Sequence, residues 1–574
     1  MRIIIQKLTQ IFSQELGPDF GSLDWSLPPN RQLGHIAIPC FRWSKNKGLP
    51  PPKLAADLLP KVMEALKGQI WFDRAVTQGP YINLFLTGSG LYELLRHETL
   101  SSGKKLGSST RGAGKTCLLE FSSTNVAKEI GLHHLRSTAI GHSLANIFDF
   151  HGYKTVRINY LGDWGTSFGK LILALKKFGN EASLKTEGLN YMLNLYVQFV
   201  QAEKLDPSLS DDAKRAFKEL EQGHAEHRRI WKLFCEISIA EFKILYSRLS
   251  IGFDHFDGES MYESKLAEVL QKIESTVGTR ISDGATVVDL PGHEVPALLL
   301  KDDGASLYLT RDIAAAFDRY QRFQFDHSLY VVAVQQKLHF KQLFDILKLM
   351  KAPFALLCEH IHFGMLSFGS KTMKSREGNA IFLKDALDEG KSRALELIKT
   401  KNPNLPNAEE VADAVGMGAL LYFDLSQNRA HDIKFNWDTA LSFEGDTGPC
   451  LQYTHARTNS LNGKVSAHLA KLPASKDPLR LKALLEDEAV INLLLEWGFY
   501  EIQCDKALDQ RDPSQIATGA INIAKAFNQL YHKKRFLEED DAACVETLLA
   551  LSNGTRNILK QSLNLLGIRA PEQM

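Results

Sequence analysis

The chain has 574 residues, of which 44% are hydrophobic and 24% charged, and its formal net charge is +1. Its length predicts about three domains, and its apolar runs are far too short to span a bilayer. Seven scattered cysteines without a Cys-x-x-Cys spacing argue against a thiolate zinc site and for a reducing compartment. We therefore expect a cytoplasmic protein. The near-zero net charge neither supports nor excludes a nucleic-acid partner.

The pattern along the chain divides it into three predicted domains. Residues 1–112 combine a Pro-rich middle with a strand-like stretch and end in a Ser-, Gly- and Lys-rich linker. Residues 113–445 alternate short apolar strands with helical patterns, which predicts a parallel sheet covered by helices, interrupted by a polar helical insertion at 190–245. Residues 446–574 show helical periodicity throughout. The strands expected after the linker are 117–121, 155–159, 286–289, 297–300 and 328–334.

Three short patterns imitate catalytic or metal-binding motifs without the context that each requires. Residues 112–116 end like a P-loop, but the predicted strand follows the Lys-Thr pair instead of preceding the glycines. Residues 165–169 fit Gly-x-Ser-x-Gly without a buried strand before them. His224 and His227 lie three residues apart with no third ligand, so we expect a solvated helix face there.

The turn after the strand at 117–121 carries the strongest chemical signal. Lys128, His133, His134 and Arg136 crowd a polar loop that leads into a helix. Ligands bind at the carboxyl ends of parallel strands, and a helix start with nearby cations suits phosphate. We predict that this turn opposes the charge that grows on a leaving pyrophosphate. Ordinary helix-start histidines are the alternative interpretation.

A second cationic segment follows the strand-like residues 362–367. It contains Lys371, Lys374 and Arg376 between glycines. A mobile loop of this kind can close over phosphates during a reaction, whereas a solvated charged loop is the structural alternative.

Tyr308 and Asp312 lie between these two segments, four residues apart. If a helix begins near Thr310, both side chains could face one pocket. A buried acid there would select a cationic group, guanidinium above all, through paired hydrogen bonds. The alternative is an acidic residue favoured by the dipole at a helix start.

These motifs together resemble those of class I aminoacyl-tRNA synthetases, and specifically the arginyl-tRNA synthetase family, over nearly the whole chain. The blocks that carry the likeness are 123–128 with 134–138, Gly162-Asp163-Trp164-Gly165-Thr166, Tyr308-Leu309-Thr310-Arg311-Asp312, 336–340, 443–449, 452–457 and 527–532. The resemblance implies a multidomain α/β protein. It would have a small α+β N-terminal domain that contacts tRNA, a Rossmann-like parallel-sheet catalytic domain and an all-α C-terminal anticodon-binding domain.

The same resemblance implies an arginine–tRNA ligase, which forms arginyl-adenylate from L-arginine and ATP and then charges the 3′ end of tRNA(Arg). The residues expected to bind arginine are Asn125, Glu259, Tyr308, Asp312 and Gln336. The residues expected to bind ATP are Lys128, His134, Lys371 and Lys374, and the catalytic set is Lys128, His133, His134, Lys374 and Arg376. Mg²⁺ would accompany the ATP phosphates, with no metal ligands from the chain and no structural zinc. The family usually acts as a monomer and often needs bound tRNA before it activates arginine.

The chain departs from the family's first signature, His-x-Gly-His, at two positions. Gly131 stands where the first His is expected and His133 where the Gly is expected. In the family this His stabilises phosphates and this Gly lets adenine lie close, so the change should crowd adenine and remove a donor. The second signature is altered as well, and Lys128 would compensate for a missing loop lysine.

Two hypotheses follow from the departure. In the first, the chain is a ligase in which His133 supplies the phosphate contact from a shifted position. In the second, it is a paralogue that binds tRNA or arginine without ligation. An unrelated nucleotidyltransferase on the same fold would leave the helical C-terminal blocks unexplained.

Overall fold

The computed structural model describes residues 1–20, 23–100, 105–302, 304, 306–368, 381–474 and 477–574, with backbone alone at 97–100 and 368. Lys371, Lys374 and Arg376 lie outside this part of the chain. No helix in the described part is long and apolar enough to cross a membrane.

The N-terminal region packs helices against a small antiparallel sheet. Its elements are α1 (Arg2–Glu15), β1 (Ile36–Pro39), α2 (Phe41–Lys47), α3 (Pro51–Leu66), β2 (Phe72–Gln78), β3 (Tyr81–Leu86) and α4 (Gly88–Leu100). The strand order is β1-β3-β2. The Pro-rich stretch starts α3, because a helix tolerates proline in its first turn, where the missing N–H has no helical acceptor.

The central region contains a five-stranded parallel sheet with helices on both faces. Its first half comprises β4 (Thr116–Glu120), α5 (Leu135–Phe150), β5 (Lys154–Leu161), α6 (Thr166–Phe178), α7 (Glu181–Leu205), α8 (Ser208–Glu221), α9 (Ala225–Arg248), β6 (His255–Gly258) and α10 (Leu266–Thr276). The helical insertion predicted at 190–245 is confirmed as most of α7 to α9.

The rest of the central region completes this sheet and adds two small ones. Its elements are β7 (Arg280–Ser282), β8 (Ala285–Val288), β9 (Ala297–Leu300), α11 (Tyr308–Phe323), β10 (His327–Tyr330), α12 (Lys337–Leu349), β11 (Cys358–His360), β12 (Leu366–Phe368), α13 (Leu383–Lys401), α14 (Ala408–Leu425), β13 (Ile433–Phe435) and α15 (Trp437–Ala440).

The strand order of the main sheet is β11-β10-β4-β5-β6. From β4 the chain builds outward in one direction through β5 and β6, and later in the other through β10 and β11. The order therefore reverses at β4 and β10, and such a switch point leaves a crevice at the carboxyl ends of the strands. Both faces of β4 are buried: Leu119 packs toward α5, and Leu118 packs toward α11 and α12.

Two predicted strands do not belong to the parallel sheet. Residues 286–289 and 297–300 form β8 and β9 of a separate antiparallel sheet with β7. The prediction was wrong because an apolar strand shows its burial but not its pairing partner. In their place the sheet uses β6 and β11, which are short and largely polar.

The C-terminal region is helical throughout its described part, as predicted. It comprises α16 (Gly448–Leu469), α17 (Pro478–Leu485), α18 (Glu488–Asp509), α19 (Ser514–Lys533) and α20 (Ala542–Leu565). The N-terminal region docks on α18. Arg31 pairs with Glu496 at 2.7 Å, Arg2 pairs with Asp505 at 2.6 Å, and the Glu486 carboxylate accepts hydrogen bonds from the start of α4.

The structure also explains the three misleading patterns. The turn at residues 111–114 precedes β4, which begins at Thr116, so the strand comes after the glycines, and Ser167 lies inside the first turn of α6. His227 is buried rather than solvated, and its Nε2 lies 2.9 Å from Lys176 Nζ. The described residues contain no group of three or more His, Cys, Asp or Glu that could hold a metal ion.

Candidate active site

The loop after β4 is held in an uncommon backbone conformation. Ser122, Ser123 and Ala127 have φ of 72°, 47° and 62°, which side-chain-bearing residues rarely adopt. Buried hydrogen bonds hold this conformation: Ser122 N–H donates to Ser137 Oγ at 2.9 Å, and the Ser122 hydroxyl contacts the Tyr246 hydroxyl at 2.7 Å. The loop therefore enters the turn at residues 132–134 from a defined direction.

His133 folds back over Gly131. A Cβ atom built on Gly131 would lie 2.5 Å from Cε1 and 2.6 Å from Nδ1 of the His133 ring. The imidazole thus occupies the space that a side chain at position 131 would use. The ring of His134 lies beside it, with 4.0 Å between the ring centroids.

His134 is neutral at physiological pH in the absence of a ligand. Its pKa is lowered to about 4, chiefly by burial and also by the neighbouring His133, while a contact with the Gly131 carbonyl opposes the shift. His134 Nδ1 lies 3.2 Å from that carbonyl oxygen and donates to it, so Nε2 is the atom that would take up a proton beside an anion. Burial also lowers the pKa of His133.

Two of the four basic residues expected at this turn differ in their surroundings. Lys128 is exposed, whereas the Arg136 side chain points into the core. The Arg136 guanidinium is buried, where Nε donates to Asp424 at 2.8 Å and Nη1 donates to the Gly364 and His431 carbonyls at 2.7 and 2.9 Å. Arg136 therefore joins α5 to α14 and to the chain near residue 430. It does not belong to the phosphate site, which corrects the expectation from sequence.

Backbone hydrogen bonds join the turn at residues 130–132 to residues 381–383. Leu132 N–H donates to the Ile381 carbonyl at 2.8 Å, and Leu383 N–H donates to the Ile130 carbonyl at 2.9 Å. The chain that leaves the undescribed residues 369–380 therefore pairs with the turn that carries His133 and His134.

Two carboxylates form an acidic site on the other side of β4 and β5. Glu259 follows β6, and its side chain is only 12% exposed. Burial raises the pKa of Glu259 to about 8; Arg311 opposes this shift, while Asp312, Asp163 and Glu263 add to it. Asp312 lies in the first turns of α11 and contacts His339. A site with more acidic than basic groups favours a cation.

Asp163 of the Gly-Asp-Trp block holds the backbone segment next to Glu259 in place. The Asp163 carboxylate accepts hydrogen bonds from Ser260 N–H at 2.9 Å and from the Ser260 hydroxyl at 2.6 Å, which holds the segment that bears Glu259. Asn125 is exposed and lies beside Gly162, where Val126 N–H donates to the Gly162 carbonyl at 3.1 Å. Asn125 thus stands next to the block that positions Glu259.

Tyr308 and Gln336 lie at the starts of the two helices around the acidic site. Tyr308 is the first residue of α11 and is 65% exposed, four residues before Asp312 and thus on the same helix face. Gln336 ends the short turn that precedes α12, three residues before His339. Four of the five residues predicted to bind arginine therefore lie on the acidic side of the crevice: Glu259, Tyr308, Asp312 and Gln336.

The sequence did not reveal the buried floor of the acidic site. Arg319 lies two turns beyond Asp312 on α11 and forms a fully buried ion pair with Glu120, the last residue of β4. Its guanidinium carbon lies 4.9 Å from the ring centre of Tyr160, whose hydroxyl has no hydrogen-bond partner among the described residues. The seven-residue spacing of Asp312 and Arg319 could have indicated that both face inward.

A separate cavity of about 1150 Å³ lies where the central region meets the C-terminal helices, between α13, α16 and α19. The Arg457 guanidinium lies 4.8 Å from the ring centre of Tyr453 and 5.5 Å from that of Tyr531. The basic residues lining the cavity are Lys401, Arg457, Lys525 and Lys533, with His532 beside them. Cations and exposed aromatic rings together suit unstacked nucleic-acid bases.

Comparison with known proteins places all three regions in one family. The family model described as tRNA synthetases class I (R), catalytic domain, matches residues 96–437. The DALR anticodon binding domain matches residues 451–574, and the arginyl tRNA synthetase N terminal domain matches residues 2–86.

Full-length relatives share this assignment. The chain is 38% identical over 573 residues to the arginine–tRNA ligase of Halothermothrix orenii, covering 99% of both chains. It is 39% identical over 549 residues to that of Alkaliphilus metalliredigens, covering 96% of this chain and 95% of the relative. These relatives are named as ligases, so the non-ligating paralogue gains no support from them.

Solved structures agree in fold. The arginyl-tRNA synthetase of Thermus thermophilus superposes with a TM-score of 0.79 at 24% identity, covering 100% of both chains. That of Plasmodium falciparum superposes with a TM-score of 0.76 at 23% identity, covering 100% of this chain and 99% of the other. With the family model matching more than half of its residues, the chain belongs to the class I arginyl-tRNA synthetases.

Proposed function

We propose that the protein is an arginine–tRNA ligase that activates L-arginine with ATP and transfers the arginyl group to the 3′ end of tRNA(Arg). One observation carries the proposal. A cationic turn with Lys128, His133 and His134 and an acidic site with Glu259 and Asp312 share the carboxyl edge of one parallel sheet. This edge can hold a triphosphate and a cationic amino acid side by side.

The acidic site binds arginine. Glu259 and Asp312 supply negative charge for its guanidinium and α-amino groups, and Asn125, Tyr308 and Gln336 supply hydrogen bonds at the rim. The guanidinium presents a planar fork of donors, which a carboxylate can accept in two parallel bonds. Lysine has no such fork and is disfavoured.

The cationic turn binds ATP. The arginine carboxylate attacks the α-phosphorus in line, the bond to the pyrophosphate oxygen breaks, and arginyl-adenylate forms. Lys128 lies against the phosphates, and the phosphate charge raises the pKa of His134 so that its Nε2 becomes a donor. We propose that Lys371, Lys374 and Arg376 bind the same phosphates. Fixed donors of this kind stabilise the charge that develops on the leaving group.

Mg²⁺ would enter as its complex with ATP, held by the phosphate oxygens, and would add positive charge beside the phosphates.

The helical cavity binds tRNA. Tyr453 and Tyr531 offer stacking faces for bases, and Arg457 and Lys525 offer cations for the backbone. This cavity and the active site are separate. Substitutions in the cavity should therefore leave the binding of ATP and arginine at the active site unchanged.

Aminoacylation with labelled arginine and ATP tests the proposal. The wild-type chain should charge its matched tRNA, and Lys128→Ala should lower arginine-dependent ATP–pyrophosphate exchange about a hundredfold. Lys115→Ala is the matched control, because Lys115 is an exposed lysine at the opposite end of β4. Failure of the wild-type chain to charge tRNA while still binding it would show a non-ligating protein.

A further inference from the structure

Asp312 is held by a histidine that belongs to the next helix. The Nε2 atom of His339 lies 2.6 Å from Asp312 Oδ2, and the two side chains are 22% and 19% exposed. The contact joins α11 to the first turn of α12. It lies at the rim of the acidic site, where a substrate enters.

Packing on α12 and the neighbouring strand orients His339. Its ring meets the Phe340 ring edge-on at 5.3 Å, and Phe340 stacks on His360 at 4.4 Å. His360 is in turn fixed by a 2.9 Å contact from its Nε2 to the Val332 carbonyl oxygen. Packing against Phe340, which in turn stacks on His360, therefore fixes the orientation of the His339 imidazole toward Asp312.

Asp312 needs such a support because its other neighbours repel it. Burial raises the pKa of Glu259 and of Glu120, and the charge of Asp312 adds to the shift in both. Without a positive or hydrogen-bonding group at its outer side, the Asp312 carboxylate would turn away from these acids and toward solvent. Turning it back on binding would cost affinity, as ordering of any mobile group does.

We propose that His339 is a positioning residue for arginine binding, which holds one oxygen of Asp312 so that the other faces the substrate. This inference rests on the proposed function, in which Asp312 contacts arginine. His339 itself does not touch the reacting atoms, and its effect falls on the affinity for arginine rather than on the chemical step.

Two variants of the full-length protein test this role in steady-state aminoacylation. His339→Leu removes the donor and should raise KM for arginine about tenfold, with kcat and KM for ATP unchanged within about twofold. His339→Gln keeps an N–H donor at similar reach and should restore KM for arginine to within about threefold. Thermal melts of both variants check that the fold is intact.

The background of Asp312→Asn separates the possible failures. If His339 acts through Asp312, His339→Leu should have no further effect on KM for arginine in that background. Equal KM values for His339→Leu and wild type, or equal impairment by Leu and Gln, would overturn the inference while the proposed function stands. An unchanged KM for arginine in Asp312→Asn alone would instead remove Asp312 from the proposed arginine site.

Discussion

At the scale of single residues, the first family signature keeps an imidazole, but His133 carries it instead of residue 131. The His133 ring fills the space beside the Gly131 α-carbon, where a side chain of residue 131 would begin. The side chain at 131 is absent, so the ring can occupy this space without a clash. This geometry favours a working phosphate contact over a lost one.

Moving the imidazole back tests this exchange. Gly131→His alone forces two rings into one space, and His133→Gly alone removes a donor, so each should lower ATP–pyrophosphate exchange, the latter about a hundredfold. The double variant should recover to within about tenfold of wild type, because the two changes compensate each other. A double variant as slow as His133→Gly would show that the exchange is not compensatory.

The ionisation of Glu259 predicts how arginine affinity depends on pH. Burial raises its pKa to about 8, so the free site is mostly protonated near neutral pH. A bound cation favours the carboxylate, so binding releases a proton, and affinity should rise with pH and level off above about 8.

The measurement is KM for arginine between about pH 6 and pH 8.5, a range over which the guanidinium stays charged. Glu259→Gln cannot titrate and should bind arginine more weakly with a flatter pH profile. A wild-type profile that coincides with that of Glu259→Gln would contradict the assignment.

At the scale of elements, Arg136 shows that one side chain can join three segments. It leaves α5 directly after the active-site turn, pairs with Asp424 on α14 and donates to carbonyls at 364, 429 and 431. Arg429 extends this joint by donating to the His362 and Arg511 carbonyls. The active-site turn is thereby tied to the end of β11 and to the junction of α18 and α19.

Breaking this joint should destabilise the protein strongly. Arg136→Leu leaves Asp424 buried without its cation, which costs about 3–5 kcal/mol and should lower the thermal unfolding midpoint. Arg157→Ala, at a pair whose Asp149 partner is 45% exposed, should cost only about 1 kcal/mol or less. Replacing Asp424 by leucine together with Arg136→Leu should recover part of the loss, and equal midpoints for the two single variants would contradict this account.

At the scale of the whole molecule, the site proposed for the small substrates and the cavity proposed for tRNA lie apart. The acidic and cationic sites lie at the edge of the central sheet, while the cavity with Tyr453 and Arg457 lies between α13 and the C-terminal helices. The N-terminal region docks on α18 through Arg31 and Arg2, so the two terminal regions pack directly against each other.

The cavity predicts a defect confined to tRNA. Tyr453→Ala and Arg457→Ala should each raise KM for tRNA about tenfold, since a stacked base or its cation is lost, with KM for ATP and arginine unchanged. Arg480→Ala is the control, because Arg480 is a half-exposed arginine of the same region that pairs with Asp540 at 2.7 Å. An unchanged KM for tRNA in both cavity variants would place the RNA elsewhere.

The amino-acid sequence by itself determined the helical regions, most strands of the main sheet and the family. Those features depend on local periodicity and on short motifs, which a chain shows without its partners. For that reason the sequence predicted that Tyr308 and Asp312 share a helix face and that the turn after β4 carries chemistry.

Only the tertiary structure decided which charged groups belong together. Arg136 and Lys128 look alike in the sequence, but Asp424, far along the chain, draws Arg136 into the core. The pairing of β8 and β9, the buried Arg319–Glu120 pair and the contact of His339 with Asp312 likewise depend on partners distant in sequence. The direction of a side chain and the ionisation of Glu259 are set by what surrounds them, and those surroundings exist only after the chain has folded.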